Sequence, residues 1–164
     1  MKRMYMMSIS LMTLLFITSC TPEKMVESKH VLPEGIPEFV QESDFDKINW
    51  DRKAVEFGDN GMIGNENKSG VIGADMPSLD EQKWMWHLWG IENTEKLTVV
   101  GYHKDSVTVH QMITDRWTME LGGPNNGADA HIPSSVKVPK AGEWAILLYV
   151  NEQLFDTLVY DIKE

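Results

Sequence analysis

Two short segments of this chain concentrate the side chains that could hold a ligand or a metal. The first is Trp84-Met85-Trp86-His87-Leu88-Trp89-Gly90, with three indoles and one imidazole in seven residues. In an extended strand successive side chains alternate, so Trp84, Trp86 and Leu88 share one face while Met85, His87 and Trp89 share the other. Two uses fit this pattern. One is a central strand buried on both sides, or covered on its second side by the N-terminal segment. The other is an aromatic platform for a sugar ring, a peptide or a cation, with His87 as its polar handle. Large aromatics are core material more often than ligand shelves, so Trp86, His87 and Trp89 are ligand contacts only where the fold leaves them at the surface.

The second segment runs Leu121-Gly122-Gly123-Pro124-Asn125-Asn126-Gly127-Ala128-Asp129-Ala130-His131. Three glycines and two asparagines permit left-handed backbone and exclude a regular helix or strand. Long irregular loops often carry function, and Asp129 and His131 point to one side if the chain is extended there. Asn125, Asn126, Asp129 and His131 therefore join the candidate binding surface. The alternative use is a structured crossover between sheets, with Asn and Asp satisfying loop backbone and His131 donating to a carbonyl.

A metal site needs three or four convergent ligands. The imidazoles are His30, His87, His103, His110 and His131. His30 falls in a linker. A two-residue turn at Asp105-Ser106 would set His103 and His110 about 14 Å apart along their strands, and a three-residue turn would put them on opposite faces. Only Asp129 and His131, completed by His87 or a methionine, could converge, which makes an envelope metalloprotein or small enzyme using His87, Asp129 and His131 the alternative to a binding module. Two hydrolase signatures are missing: the chain has no Gly-x-Ser-x-Gly and no His-Glu-x-x-His. No catalytic residue is assigned, and no cofactor is expected beyond a lipid.

That lipid is implied at the N-terminus. Lys2 and Arg3 precede an apolar stretch from Ile9 to Thr18, and Ile17-Thr18-Ser19-Cys20 ends it with small residues before a cysteine. This is a lipobox. The stretch is shorter than the roughly 20 residues a transmembrane helix needs. Cleavage before Cys20 would leave its thiol carrying diacylglycerol and place the protein on the outer face of the cytoplasmic membrane of a Gram-positive bacterium, with palmitate-type acylation. Cys20 is the single cysteine, so its lipidation removes thiolate catalysis, disulfides and thiolate metal sites. The net charge of −10 becomes about −12 once Lys2 and Arg3 leave. Such a surface disfavours nucleic acid and teichoic acid alike. The expected partners are the membrane, through the anchor, and an envelope protein or small ligand.

The elements that must position these residues read as all-β. Residues 1–19 form the signal peptide, and 20–35, with Pro22, Pro33, Gly35 and alternating charges, form the lipidated cysteine and a tether. A tether of that length spans roughly 20 Å. Residues 36–164 form one domain, long enough to bury roughly two thirds of its surface. Runs rich in β-branched and aromatic residues recur between Gly, Pro, Asn and Asp. Phe45–Trp50, Lys53–Phe57, Gly61–Gly64 and Gly70–Ala74 are strand candidates, Lys83–Trp89 is a strand or else a short buried helix, and Leu97–Lys104 with Val107–Ile113 makes a hairpin. The end is clearest: a turn at Pro139–Gly142, a strand Glu143–Val150, a turn at Asn151-Glu152, and a strand Leu154–Ile162. This order is that of the closing strands of an immunoglobulin-like β-sandwich.

Trp-His-x-Trp-Gly at 86–90, Gly-Gly-Pro-Asn-Asn-Gly-Ala-Asp-Ala-His at 122–131, Pro-Ser-Ser at 133–135 and Pro-x-x-Gly-x-Trp at 139–144 resemble an uncharacterised family of lipoproteins and secreted domains from bacilli. The resemblance covers residues 36–164. It implies an extracytoplasmic β domain and assigns no activity.

Overall fold

A computed structural model describes residues 29–74, 79–92 and 95–163. The signal segment and Cys20 lie outside the described residues. Among the described residues ten strands form two five-stranded antiparallel sheets. The first orders β1 (Val55–Phe57), β2 (Met62–Asn65), β3 (Ser69–Ile72), β4 (Gln82–Leu88) and β8 (Ala130–Val136). In the second, β10 (Gln153–Ile162), β9 (Gly142–Val150) and β5 (Lys96–His103) lie side by side. The far edge of β5 is shared by β6 (Thr108–Gln111) and β7 (Thr118–Glu120). Placing β3-β4-β8 against β10-β9-β5-β6 reproduces the A-B-E against G-F-C-C′ order of immunoglobulin-like sandwiches. The β-sandwich expected from the sequence is the fold.

Alternation along β4 and β9 builds the inter-sheet core. Trp84, Trp86 and Leu88 meet Leu97, Val99, Trp144, Ile146 and Leu148 in one buried cluster. Three tryptophans occupy the centre of a sandwich that has no cysteine pair there. The second sheet is buried on its other face too, where Val100, Tyr102, Ala145, Leu147 and Tyr149 pack against Val40 and Phe45. The N-terminal segment thus covers β5 and β9, not β4 as one reading of the tryptophan strand expected.

That covering segment departs from expectation twice. Phe45–Trp50 is not a strand: Glu42–Asp46 forms α1, whose one buried side chain is Phe45, stacked on Tyr102 at 4.8 Å. A short helix satisfies part of its own backbone and can lie on a sheet face, where a lone strand would leave its polar groups unpaired. Acidic Glu42 and Asp44 in its first turn suit the helix dipole. The folded unit also begins before residue 36. His30 is buried with its Nδ1 2.9 Å from the Tyr102 hydroxyl, and Val31 bridges to Thr108.

The β5–β6 connection is a four-residue loop, Lys104–Val107, so His103 pairs with Thr108 and Gly101 with His110. This register overturns the separation expected for the two histidines. They share one face, edge-on to Trp144 at 4.9 and 5.2 Å. Hydrogen bonds of 2.6 to 2.8 Å link His103 through Ser106 and Thr108 to His110. Four-residue loops place their last residue in the left-handed region, and Val107 has φ 55°.

The β9–β10 turn is the expected two-residue one, with φ 46° at Asn151 and 69° at Glu152. A type I′ turn requires this, and only glycine or asparagine adopts it readily. Glu152→Gly is therefore expected to raise stability by about 1 kcal/mol, read as a higher urea midpoint at unchanged slope. A lower midpoint would contradict the turn assignment.

Candidate functional site

The Leu121–Asp129 segment takes the place of strand D. It joins β8 through the Gly122–His131 bridge, then folds back over the outer face of β4. Asn125 and Ala128 close it upon itself with reciprocal backbone bonds of 3.1 and 2.9 Å, and Asn126 and Gly127 turn it with φ 48° and 81°. The glycines and asparagines that ruled out a regular element make this tight return.

Its polar groups are spent on β4. The Asn126 amide donates to His87 Nε2 at 3.0 Å, and His87 Nδ1 donates to the Met85 carbonyl at 3.1 Å. This pair of bonds assigns the neutral imidazole, protonated at Nδ1. The Trp89 indole donates to the Gly127 carbonyl at 2.7 Å, and Asp129 Oδ2 accepts the Gly90 backbone N–H at 2.6 Å. His131, which lies within β8 and not in the loop, donates from Nδ1 to the Gly123 carbonyl at 2.7 Å. Asn125 reaches the Met85 sulfur at 3.6 Å.

The structure therefore divides the predicted residues. His87 is fully buried beneath Asn126, and its ring lies 6.3 Å from that of His131. Asp129 turns to Gly90 and does not join them. Among the described residues no three His, Cys, Asp or Glu side chains are placed to hold a metal ion, so the metalloprotein reading lacks a ligand set there. Trp86 does not reach the surface: it is 0 % exposed, and its indole donates to Ser134 Oγ at 2.8 Å within the core. Trp89 and Asn126 do face solvent in part.

These two line a cleft of about 280 Å³ with residues the sequence reading missed: Phe57, Asp59 and Asn60 from the β1–β2 hairpin, and Met62, Glu66 and Asn67 from β2 and its following turn. Phe57 meets Trp89 edge to face at 5.9 Å. It reaches there because β3 presents bare backbone at Gly70, where a Cβ would lie 2.6 Å from the Phe57 ring. A glycine inside a strand marks such a close approach, and Gly70 was the one available signal in the sequence. A larger groove, about 840 Å³, separates the edge strands β7 and β8 and is lined by Lys83, Arg116, Glu120 and the hydroxyls of Ser134 and Ser135.

Burial holds the His87 pKa below the usual histidine value, and the nearby His131 adds to this against the opposing bond to Met85. His110 is lowered by burial, then by Lys140 and His103. Both favour the neutral form on folding, so the unfolded chain binds more protons near pH 6. Their contribution to stability is complete above the unfolded value of about 6.5 and is lost as pH falls below it. The urea midpoint is expected to drop between pH 7.5 and 5.5, and to drop less in His87→Gln and His110→Gln. A flat profile for the parent chain would contradict the buried neutral imidazoles.

No curated protein matches this chain. The crystal structure of a candidate lipoprotein from Bacillus anthracis is similar in fold, with a TM-score of 0.63 at 21% identity, covering 78% of this chain and 96% of that one. The sandwich is thus an experimentally observed architecture. Residues 39–160 match the family described as a domain of unknown function, DUF4871, and the chain belongs to that family.

Proposed function

We propose that this protein is an extracytoplasmic lipoprotein, held at the outer face of the cytoplasmic membrane by diacylglycerol on Cys20, and acts as a non-enzymatic binding module. The observation that carries the binding role is the Phe57–Trp89–Asn126 cleft. Two hairpin turns and the Asn126 loop converge on partly exposed aromatic rings, and the loop that holds them is locked to β4 by hydrogen bonds. A preformed, rigidly supported cleft with apolar walls and polar rims suits ligand binding. Support for the anchor comes from Ile17-Thr18-Ser19-Cys20 and from the description of the Bacillus anthracis protein as a candidate lipoprotein. No described helix is long and apolar enough to cross a membrane.

The anchor is tested by expressing the full chain in a Gram-positive host and following palmitate incorporation. Labelling that disappears in Cys20→Ser is the expected result, and equal labelling of both would overturn it. The binding role is tested by adding a soluble cell-wall digest to the ¹⁵N-labelled domain. Perturbation centred on the Trp89 indole and the 57–67 backbone is expected. Perturbation confined to Lys83, Arg116 and Ser135 would move the site to the groove between β7 and β8.

A further inference from the structure

The chemistry of the cleft narrows its ligand. Phe57 and Trp89 meet at 60°, forming a corner of two π systems, and Met62 closes its floor with a polarisable sulfur. Aromatic faces carry negative quadrupole potential and attract cations, and thioethers tolerate them well. The rim has the same sign. Asp59 and Glu66 stand on it, joined by Asn60, Asn67 and Asn126, and among the described residues no Lys or Arg lines the cleft. Asp59 and Glu66 form no ion pair or hydrogen bond with other described residues, so their charge is not neutralised locally. The nearest cation in sequence, Lys68, is directed elsewhere, over the Phe155 ring at 3.5 Å.

An anion would meet two carboxylates here without a compensating base. A neutral sugar could stack on either ring, but the edge-to-face corner offers it no flat platform spanning both. A compact organic cation uses every feature together: ring faces, sulfur, carboxylates, and the long-range field of a chain with net charge −10. Resting on the reading of this cleft as the binding site, we propose that it takes an organic ammonium group. Methylated ammonium carried on a choline-type headgroup and primary ammonium carried on an amine or peptide share this chemistry, and separate probes distinguish them.

The test titrates the ¹⁵N-labelled domain with tetramethylammonium chloride, with ethanolamine and with N-acetylglucosamine, each at fixed ionic strength. Saturable shifts of the Trp89 indole and of the 57–67 amides with either ammonium probe are expected. The stronger of the two identifies the methylated or the primary source. The double variant Asp59→Asn, Glu66→Gln alters only exposed turn residues, so its fold survives, and its affinity for the probe should fall roughly fivefold or more. Shifts at Trp89 with N-acetylglucosamine but with neither ammonium would overturn the cation assignment while leaving the cleft as the binding site. Silence at Trp89 with all three probes and with the wall digest would overturn both.

Discussion

Trp86→Ala is expected to cost about 3 to 5 kcal/mol, a large part of the roughly 5 to 15 kcal/mol that holds a domain folded. Trp86 sits opposite Val71 on β3 and Ile132 on β8, at the centre of the first sheet with its ring turned wholly into the inter-sheet core. Truncation removes the largest type of apolar side chain and leaves a cavity between two packed sheets, which relax only partly around it. It also strips Ser134 of the indole that donates to it at 2.8 Å. Trp86→Phe retains most of the ring and should lose far less. Urea unfolding at constant slope measures both. A Trp86→Ala loss below about 1 kcal/mol would match a surface platform and not this core position. The same substitution at Trp89 should be milder, since that ring is partly exposed.

Asp156→Ala is expected to lose about 3 kcal/mol. Asp156 is buried on β10, at the bulge between Leu154 and Asp156, and it ties the second sheet to the first. Its two oxygens each lie 3.0 Å from the Asn65 amide nitrogen, and Ser69 Oγ donates to Oδ2 at 2.5 Å. Asn65 also donates to the Thr157 carbonyl at 3.1 Å, completing the strap. Removing the carboxylate leaves donors buried without acceptors, which costs more than the bonds themselves contribute. Asp161→Ala, an exposed position on the same strand, is the control and should change stability by no more than about 0.5 kcal/mol. The consequence reaches the cleft, because β2, β3 and the turn between them carry Met62, Glu66, Asn67 and Gly70. In Asp156→Ala the amides of residues 62–70 should exchange faster with solvent than those of β9. Equal losses for Asp156→Ala and Asp161→Ala would contradict the strap.

Much of the fold was legible because its signals are local. Alternation over Trp84–Leu88 sorted the side chains into two faces, since side-chain direction in a strand follows from backbone geometry alone, but it did not say which face the core takes, and Trp86, a candidate ligand contact, is fully buried. The two-residue turn at Asn151-Glu152 and the strands around it read equally directly. Loop length was less legible. The polar break at Asp105-Ser106 allows a two-residue or a three-residue turn, and the four-residue loop sets a different register that brings His103 and His110 together on Trp144. Phe45 was misread for a similar reason: five residues with one apolar side chain carry no period, and the hollow beside Tyr102 determined their conformation.

The sequence alone determined a β-sandwich, an acidic surface and a lipobox cysteine, because composition, alternation and short motifs are properties of neighbouring residues. Tertiary structure decided the rest. Whether His87 would be a ligand handle or a sealed core group depended on Asn126, 39 positions away, and whether Trp89 would be covered depended on Gly127, 38 positions away. The cleft itself joins residues from three separate turns, and the ring at its wall is placed by the missing side chain of Gly70. Contacts at such separations arise only when the sheets close, so no local pattern encodes them.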